Sequence, residues 1–181
     1  MARSGKAAFI DRDGVINRDH GYVYQWQDFE FLPGAIEGMR RLQEHGCRII
    51  VITNQSGIGR GFYDEAVFEA LTDTMCQHLQ EQGVRIDRVY FCPHHPEKAL
   101  GDFRVACDCR KPAPGMLLRG IDEFDIDPGA SLLIGDKPSD IEAGIRASIG
   151  HLYQVTEATP VAPATAVASL LDAADRFIGA S

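Results

Sequence analysis

Short, nearly unbroken apolar runs alternate along this chain with longer segments whose apolar residues recur every three or four positions. The runs at 7–10, 48–53, 88–92, 131–135 and 151–155 predict strands. Their continuous apolar character suits strands covered on both faces. Between them, residues 33–45 carry Ile36, Met39 and Leu42 on one helical face, with Gly46 placed to end the helix. A second helix is predicted to start at Asp64 as N-cap and run to Gln82, with Phe68, Leu71, Met75 and Leu79 as its stripe and Gly83 as its stop. Further helices fit 115–124 and 139–147. Strands alternating with helices imply right-handed crossovers and an α/β fold with a doubly wound parallel sheet. The Ala/Thr/Pro tract at 156–166 reads as linker-like, and the Ala-rich tail is open to two readings, a last helix and strand or a frayed end.

Composition narrows the setting. With 181 residues, 45% of them hydrophobic, the chain can bury one proper core, and residues 1–181 are expected to form one domain. A formal net charge of -8 without any basic cluster argues against nucleic acid as a partner. It leaves room for a small anion held by a few placed cations. No run approaches the ~20 apolar residues of a membrane span, and no apolar signal core precedes the first strand. A cytoplasmic monomer with no membrane partner is expected.

In open parallel α/β sheets, ligands bind beyond the carboxyl ends of the strands, and here four strand ends or nearby loops carry chemistry. After the first run comes Asp11-Arg12-Asp13-Gly14. Side chains at i and i+2 of a strand point the same way, so Asp11 and Asp13 can face one site, where a shared cation or proton would relieve their repulsion. Then come Thr53-Asn54-Gln55-Ser56-Gly57, Arg110-Lys111-Pro112 and Gly135-Asp136-Lys137-Pro138-Ser139-Asp140. Taken singly, each has an ordinary explanation: a turn, a solvated lysine, a helix cap. Their occurrence in this order on one predicted sheet is much harder to obtain by chance.

A second signal is Cys92-Pro93-His94 followed, after a twelve-residue spacer, by Cys107-Asp108-Cys109. Three thiols and an imidazole in two close pairs match a tetrahedral Cys₃His zinc site. Four protein ligands leave no open position, so the zinc is read as structural, closing a loop at 92–109 just before Arg110 and Lys111. His95 is a spare. Cys47 and Cys76 sit in apolar settings and read as core thiols; a disulfide is the competing use of the five cysteines.

The four motifs resemble those of the haloacid dehalogenase superfamily of phosphatases over nearly the whole chain, with Val15 standing where many members carry Thr. That resemblance implies a Rossmann-type domain without a large cap. It also implies that Asp11 is the nucleophile and Asp13 the general acid and base, with Thr53 and Lys111 holding the phosphoryl oxygens. Mg²⁺ would bind the Asp11 side chain, the Asp13 carbonyl and Asp136. Asp140 would act behind them, through a metal-bound water or by fixing a lysine.

The motifs together with Asp19-His20-Gly21-Tyr22-Val23 and Cys92-Pro93-His94-His95-Pro96 are similar to those of the D-glycero-D-manno-heptose 1,7-bisphosphate 7-phosphatase family. That similarity implies removal of the C7 phosphate from a small phosphorylated sugar, giving heptose 1-phosphate toward ADP-heptose and lipopolysaccharide. It carries the substrate contacts onto Asp11, Arg12, Asp13, Asp19, His20, Gly21, Tyr22, Thr53, Asn54, Gln55, Ser56, Arg110, Lys111 and Lys137. Histidinol-phosphate phosphatases share the Asp-Arg-Asp-Gly, Thr-Asn-Gln, zinc and Arg-Lys-Pro elements. The Asp19–Tyr22 run and the longer zinc spacer favour the heptose family. A polynucleotide 3′-phosphatase is disfavoured by the acidic balance, and a silent zinc-containing binding module by the filled catalytic positions.

Overall fold

The computed structural model describes residues 3–180. Strands β1 (Lys6–Ile10), β2 (Cys47–Asn54), β3 (Arg88–Cys92), β4 (Leu132–Gly135), β5 (His151–Val155) and β6 (Thr165–Val167) pair in parallel in the order β3-β2-β1-β4-β5-β6. The helices are α1 (Ala35–Glu44), α2 (Ser56–Gly59), α3 (Glu65–Glu81), α4 (Gly115–Glu123), α5 (Pro138–Arg146) and α6 (Leu170–Gly179).

Strand alternation divides the core into two layers. Ala8 and Ile10 of β1 join Ile49, Val51, Leu132 and Ile134 against Met39 and Leu42 of α1, Met75 and Leu79 of α3 and Phe177 of α6. Their neighbours Ala7 and Phe9 face the other way, with Ile50, Ile52 and Leu133, onto Met116 and Leu117 of α4 and Ile141 of α5. Each of the Val, Ile, Leu, Met and Phe side chains here, fully withdrawn from water, contributes about 1.5–3 kcal/mol. The central strands therefore read as continuous apolar runs because both faces are covered.

Asp64 caps α3 as expected, its side chain accepting a hydrogen bond from the Val67 N–H. Two sequence expectations need revision. The tract at 156–166 is not all linker, because β6 begins at Thr165 and pairs with β5, and the tail continues as α6 with Ser169 as its cap. The stretch after Gln55 is not a plain loop but opens with α2, whose Gly57 and Gly59 stand where a Cβ would fall 2.3 Å from Tyr63 Cε1 and 2.4 Å from the Pro93 carbonyl oxygen. Small residues let this turn press against its neighbours.

The strand order reverses between β1, which continues to β2 on one side, and β4 on the other. Chain direction thus leaves a crevice beyond the carboxyl ends of β1 and β4. Asp11 follows β1 and Asp136 follows β4, and the Asp11 N–H donates to the Ile134 carbonyl at 3.0 Å. Among the described residues no helix is long and apolar enough to cross a membrane.

Candidate active site

Three carboxylates meet at this crevice. Oxygens of Asp11, Asp136 and Asp140 lie within 4.8 Å of one another. Close like charges out of water need compensation, and part of it comes from Lys111. Its Nζ stands 2.8 Å from Asp11 Oδ1 and 2.6 Å from Asp140 Oδ1, and donates to the Ile52 carbonyl at 3.0 Å. Burial on its own would lower the pKa of this lysine. Asp11 and Asp140 outweigh burial and raise it, so the ammonium stays charged. Burial, reinforced by Asp140, pushes the Asp11 carboxyl well above the usual carboxylate range against the pull of Lys111. Asp136 is raised by the same two causes, opposed by Lys137.

The acidic cluster fits a divalent cation on its own geometry. Asp136 Oδ1 is buried and has no protein partner, which a hard cation would satisfy. Gly14 makes space beside it: at φ +88° a Cβ there would lie 2.3 Å from Asp136 Oδ2. Asp140 has both oxygens engaged, Oδ1 on Lys111 and Oδ2 accepting the Lys137 N–H at 3.0 Å. Of the two uses expected for Asp140, fixing a lysine is the one this geometry favours.

Asp13 points away from that cluster. Arg12 Nη2 donates to both its oxygens at 3.0 and 3.1 Å, Asn17 Nδ2 to Oδ1 at 3.0 Å and Gln55 Nε2 to Oδ2 at 3.1 Å. Gln55 also donates to Thr53 Oγ1 at 2.8 Å. Thr53 is buried, at the end of β2 beside Asn54 and Gln55, which line the cleft over these groups. Because its hydroxyl accepts from Gln55, its proton is free for another acceptor.

A cleft of about 540 Å³ opens above these groups. Asp11, Asp13, Asn54, Gln55, Ser56 and Lys111 form its floor and one side, and Asp19, Gly21, Tyr22, Arg110 and Lys137 reach it from three loops. Lys137 Nζ lies 3.6 Å from Asp19 Oδ2. Two expected contacts are placed elsewhere. The Arg12 side chain is 1% exposed and does not line the cleft; its Nη2 donates to Asp13 and the Val23 carbonyl, while Nε and Nη1 are buried without a protein hydrogen-bond partner. His20 lines a neighbouring surface groove with Phe29 and Glu30. Tyr63 lines the cleft and escaped the sequence reading, since no motif flags a residue whose role comes from a hydrogen bond to Gln55, outside any shared motif.

The predicted zinc ligands converge. Sγ of Cys92, Cys107 and Cys109 and Nδ1 of His94 lie 2.8–3.7 Å apart in their close pairs. Zinc–sulfur bonds of ~2.3 Å in a tetrahedron give edges of ~3.7 Å, so the cluster can take the ion with a slight expansion. All five cysteines are free thiols in the structure. Cys47 is buried in the core, and burial pushes its thiol up to about 11. Cys76 packs at the edge of that core. His95 is no part of the cluster; its Nδ1 accepts the N–H groups of Glu97 and Lys98. The zinc loop bears directly on the cleft, since the Arg110 N–H approaches Cys107 Sγ at 3.4 Å and Arg110 Nη1 donates to the His94 carbonyl at 3.3 Å.

Comparison with known proteins agrees with this geometry. The profile of the family described as "Hydrolase: haloacid dehalogenase-like hydrolase" matches residues 4–148. The D-glycero-beta-D-manno-heptose-1,7-bisphosphate 7-phosphatase of Escherichia coli (strain K12) is 48% identical over 163 residues, 90% of this chain and 85% of that protein. The protein of the same name from Yersinia pestis is 45% identical over 161 residues, 89% and 86% of the two chains. The crystal structure of D,D-heptose 1.7-bisphosphate phosphatase from B. bronchiseptica, complexed with magnesium and phosphate, superposes with a TM-score of 0.85 at 27% identity, covering 97% of this chain and 99% of that one. The corresponding enzyme from Burkholderia thailandensis gives a TM-score of 0.66 at 30% identity over 96% and 98%. With its strand-end carboxylates, lysine and sheet order all in place, the chain belongs to the haloacid dehalogenase-like hydrolase family and, within it, to the family of the D-glycero-beta-D-manno-heptose-1,7-bisphosphate 7-phosphatases.

Proposed function

We propose that this chain is a Mg²⁺-dependent phosphatase that removes the C7 phosphate of D-glycero-D-manno-heptose 1,7-bisphosphate in the cytoplasm. The observation that carries the reading is the Asp11–Lys111–Asp140 cluster opening on a polar cleft walled by Asp19, Tyr22, Arg110 and Lys137, in a chain 48% identical to a phosphatase of that name. The relatives' name specifies the β form of the sugar, which favours the β-anomer at C1. Residues 1–181 act as one domain carrying the zinc loop 92–109, and as a monomer.

In this reading Asp11 attacks phosphorus while the bond to the sugar oxygen breaks, that oxygen keeping the electron pair and taking a proton from Asp13. Asp13 then accepts a proton from water as the water's oxygen attacks the aspartyl phosphate, releasing phosphate and restoring the Asp11 carboxylate. Thr53 and Lys111 hold the non-bridging oxygens through their N–H and O–H donors. Lys111 also offsets the burial that disfavours an ionised Asp11. Mg²⁺ bound by Asp11, Asp136 and the Asp13 carbonyl would neutralise charge and polarise the phosphoryl group. Zn²⁺ on Cys92, His94, Cys107 and Cys109 would hold the loop that carries Arg110, whose guanidinium suits an anionic or hydroxylated part of the substrate. The selecting loops are those around Asp19–Tyr22, after Gln55, and at the zinc site.

The test is Mg²⁺-dependent phosphate release from heptose 1,7-bisphosphate beside histidinol phosphate and fructose 1,6-bisphosphate. A kcat/KM at least about 100-fold higher for the heptose is expected, since charged and hydrogen-bonded groups discriminate strongly. Preference for histidinol phosphate would overturn the substrate assignment.

A further inference from the structure

Gln55 is 3% exposed and sits between two groups the reaction uses, donating from Nε2 to Asp13 Oδ2 at 3.1 Å and to Thr53 Oγ1 at 2.8 Å. An amide can occupy such a slot in two orientations of similar shape. The wrong one would set Oε1 against the Asp13 oxygen, acceptor against acceptor. The choice is made from the far side, where the Tyr63 hydroxyl donates to Gln55 Oε1. With that oxygen occupied by a donor, both amide protons must face Asp13 and Thr53.

The surroundings fix the Tyr63 ring and so the position from which its hydroxyl donates. It is 8% exposed, and its ring stacks on Tyr24 with centroids 4.9 Å apart and planes 14° apart. Gly57 gives the ring its space, since a Cβ there would meet Tyr63 Cε1 at 2.3 Å. Arg12 and Asn17 hold Asp13 from the protein side, while Gln55 and Tyr63 both line the cleft.

We propose that Tyr63 is a positioning residue for this reaction, locking the Gln55 amide so that Asp13 is aimed at the departing sugar oxygen and the Thr53 proton is left for the phosphoryl group. This rests on the phosphatase reading above and adds to it a residue outside the four motifs. Tyr63 acts through Gln55 and moves no proton of the reaction itself.

The experiment uses the purified full chain with Mg²⁺ and compares wild type, Tyr63→Phe, Gln55→Leu and the double variant. Tyr63→Phe keeps the ring and its stacking, so it tests the hydroxyl alone. The substrates are heptose 1,7-bisphosphate, whose leaving alcohol needs a proton, and 4-nitrophenyl phosphate, whose leaving group does not. On the sugar, Tyr63→Phe is expected to lower kcat about tenfold with KM changed less than about twofold, a fraction of the 10²–10⁴ that general acid–base catalysis supplies. On 4-nitrophenyl phosphate the loss should not exceed that on the sugar, because only the steps common to both substrates, the water attack assisted by Asp13 and the hold of Thr53 on the phosphoryl group, are affected, and the double variant should match Gln55→Leu within about twofold, as for groups acting in series. No loss on the sugar, a larger loss on 4-nitrophenyl phosphate than on the sugar, or losses that multiply in the double variant would overturn the proposal. If 4-nitrophenyl phosphate is not turned over, the double-variant cycle decides. A wild type inert toward the heptose but active on fructose 1,6-bisphosphate overturns the substrate reading instead, and the Tyr63 comparison is then made on that sugar.

Discussion

Asn54 and Lys111 exchange two hydrogen bonds across the fold: Asn54 Nδ2 donates to the Lys111 carbonyl and the Lys111 N–H donates to Asn54 Oδ1, each at 3.1 Å. Asn54 ends β2, while Lys111 directly follows the zinc loop. The paired bonds tie the loop's exit to the sheet and set the depth at which the lysine meets Asp11 and Asp140. Asn54→Ala leaves two main-chain groups without partners, at a cost of about 1–3 kcal/mol. Thermal unfolding should register that loss, and kcat/KM should fall more than it does for substitution of the exposed Lys98.

Asp11→Asn keeps the shape of the side chain and removes the carboxylate proposed to attack phosphorus. The variant should fold and bind zinc, with phosphate release reduced by at least about 10⁴-fold, the scale seen when a nucleophile is deleted. Near-normal turnover in a zinc-loaded variant would rule out attack by Asp11.

Gly14 is required by both conformation and space, with φ at +88° and Asp136 Oδ2 at 2.3 Å from the position of a Cβ. Gly14→Ala should displace the Asp136 carboxylate. Calorimetric titration with Mg²⁺ is expected to show affinity weakened by at least about tenfold, with a strain cost of about 1–3 kcal/mol in stability.

Burial, with Asp140 beside them, raises both Asp11 and Asp136 above the usual carboxylate range. Between the unfolded and the raised folded values the native state binds more protons than the unfolded chain. Metal-free stability from these groups is therefore full below the unfolded value and is lost as pH rises through the folded one. Mg²⁺ competes with those protons, so its stabilising effect has the opposite trend. At fixed Mg²⁺ concentration, the rise in Tm should be larger at about pH 8 than at about pH 5; an equal rise would count against Asp11 and Asp136 as ligands.

Cys107→Ser removes one of four converging zinc ligands, and the loop it closes presents Arg110. Zinc content by elemental analysis should drop, and Tm should fall by several degrees, because metal binding by such a loop contributes directly to folding. Unchanged stability at full zinc content would contradict a structural zinc here.

The first five strands, their order along the chain and the chemistry at three strand ends and in the loop that carries Lys111 were legible in the linear chain because they depend on local periodicity and on the rule that strand ends converge; the short β6 and α2 were not, being too brief to show a period. The Cys/His cluster was legible for a similar reason, since Cys92 and His94, and Cys107 and Cys109, are close in sequence. Side-chain direction was not legible. Arg12 lies in sequence between two aspartates that line the cleft, yet its guanidinium turns inward beside Phe29 and Phe68, where Asp13 and the Val23 carbonyl offer partners. Likewise nothing local links Tyr63 to Gln55 or Asn54 to Lys111. Sequence by itself determined which residue types stand at the mouth of the sheet. Only the tertiary structure decided which of them face the cleft and which hold the others in place, because a hydrogen bond between distant segments exists only once packing has fixed both ends.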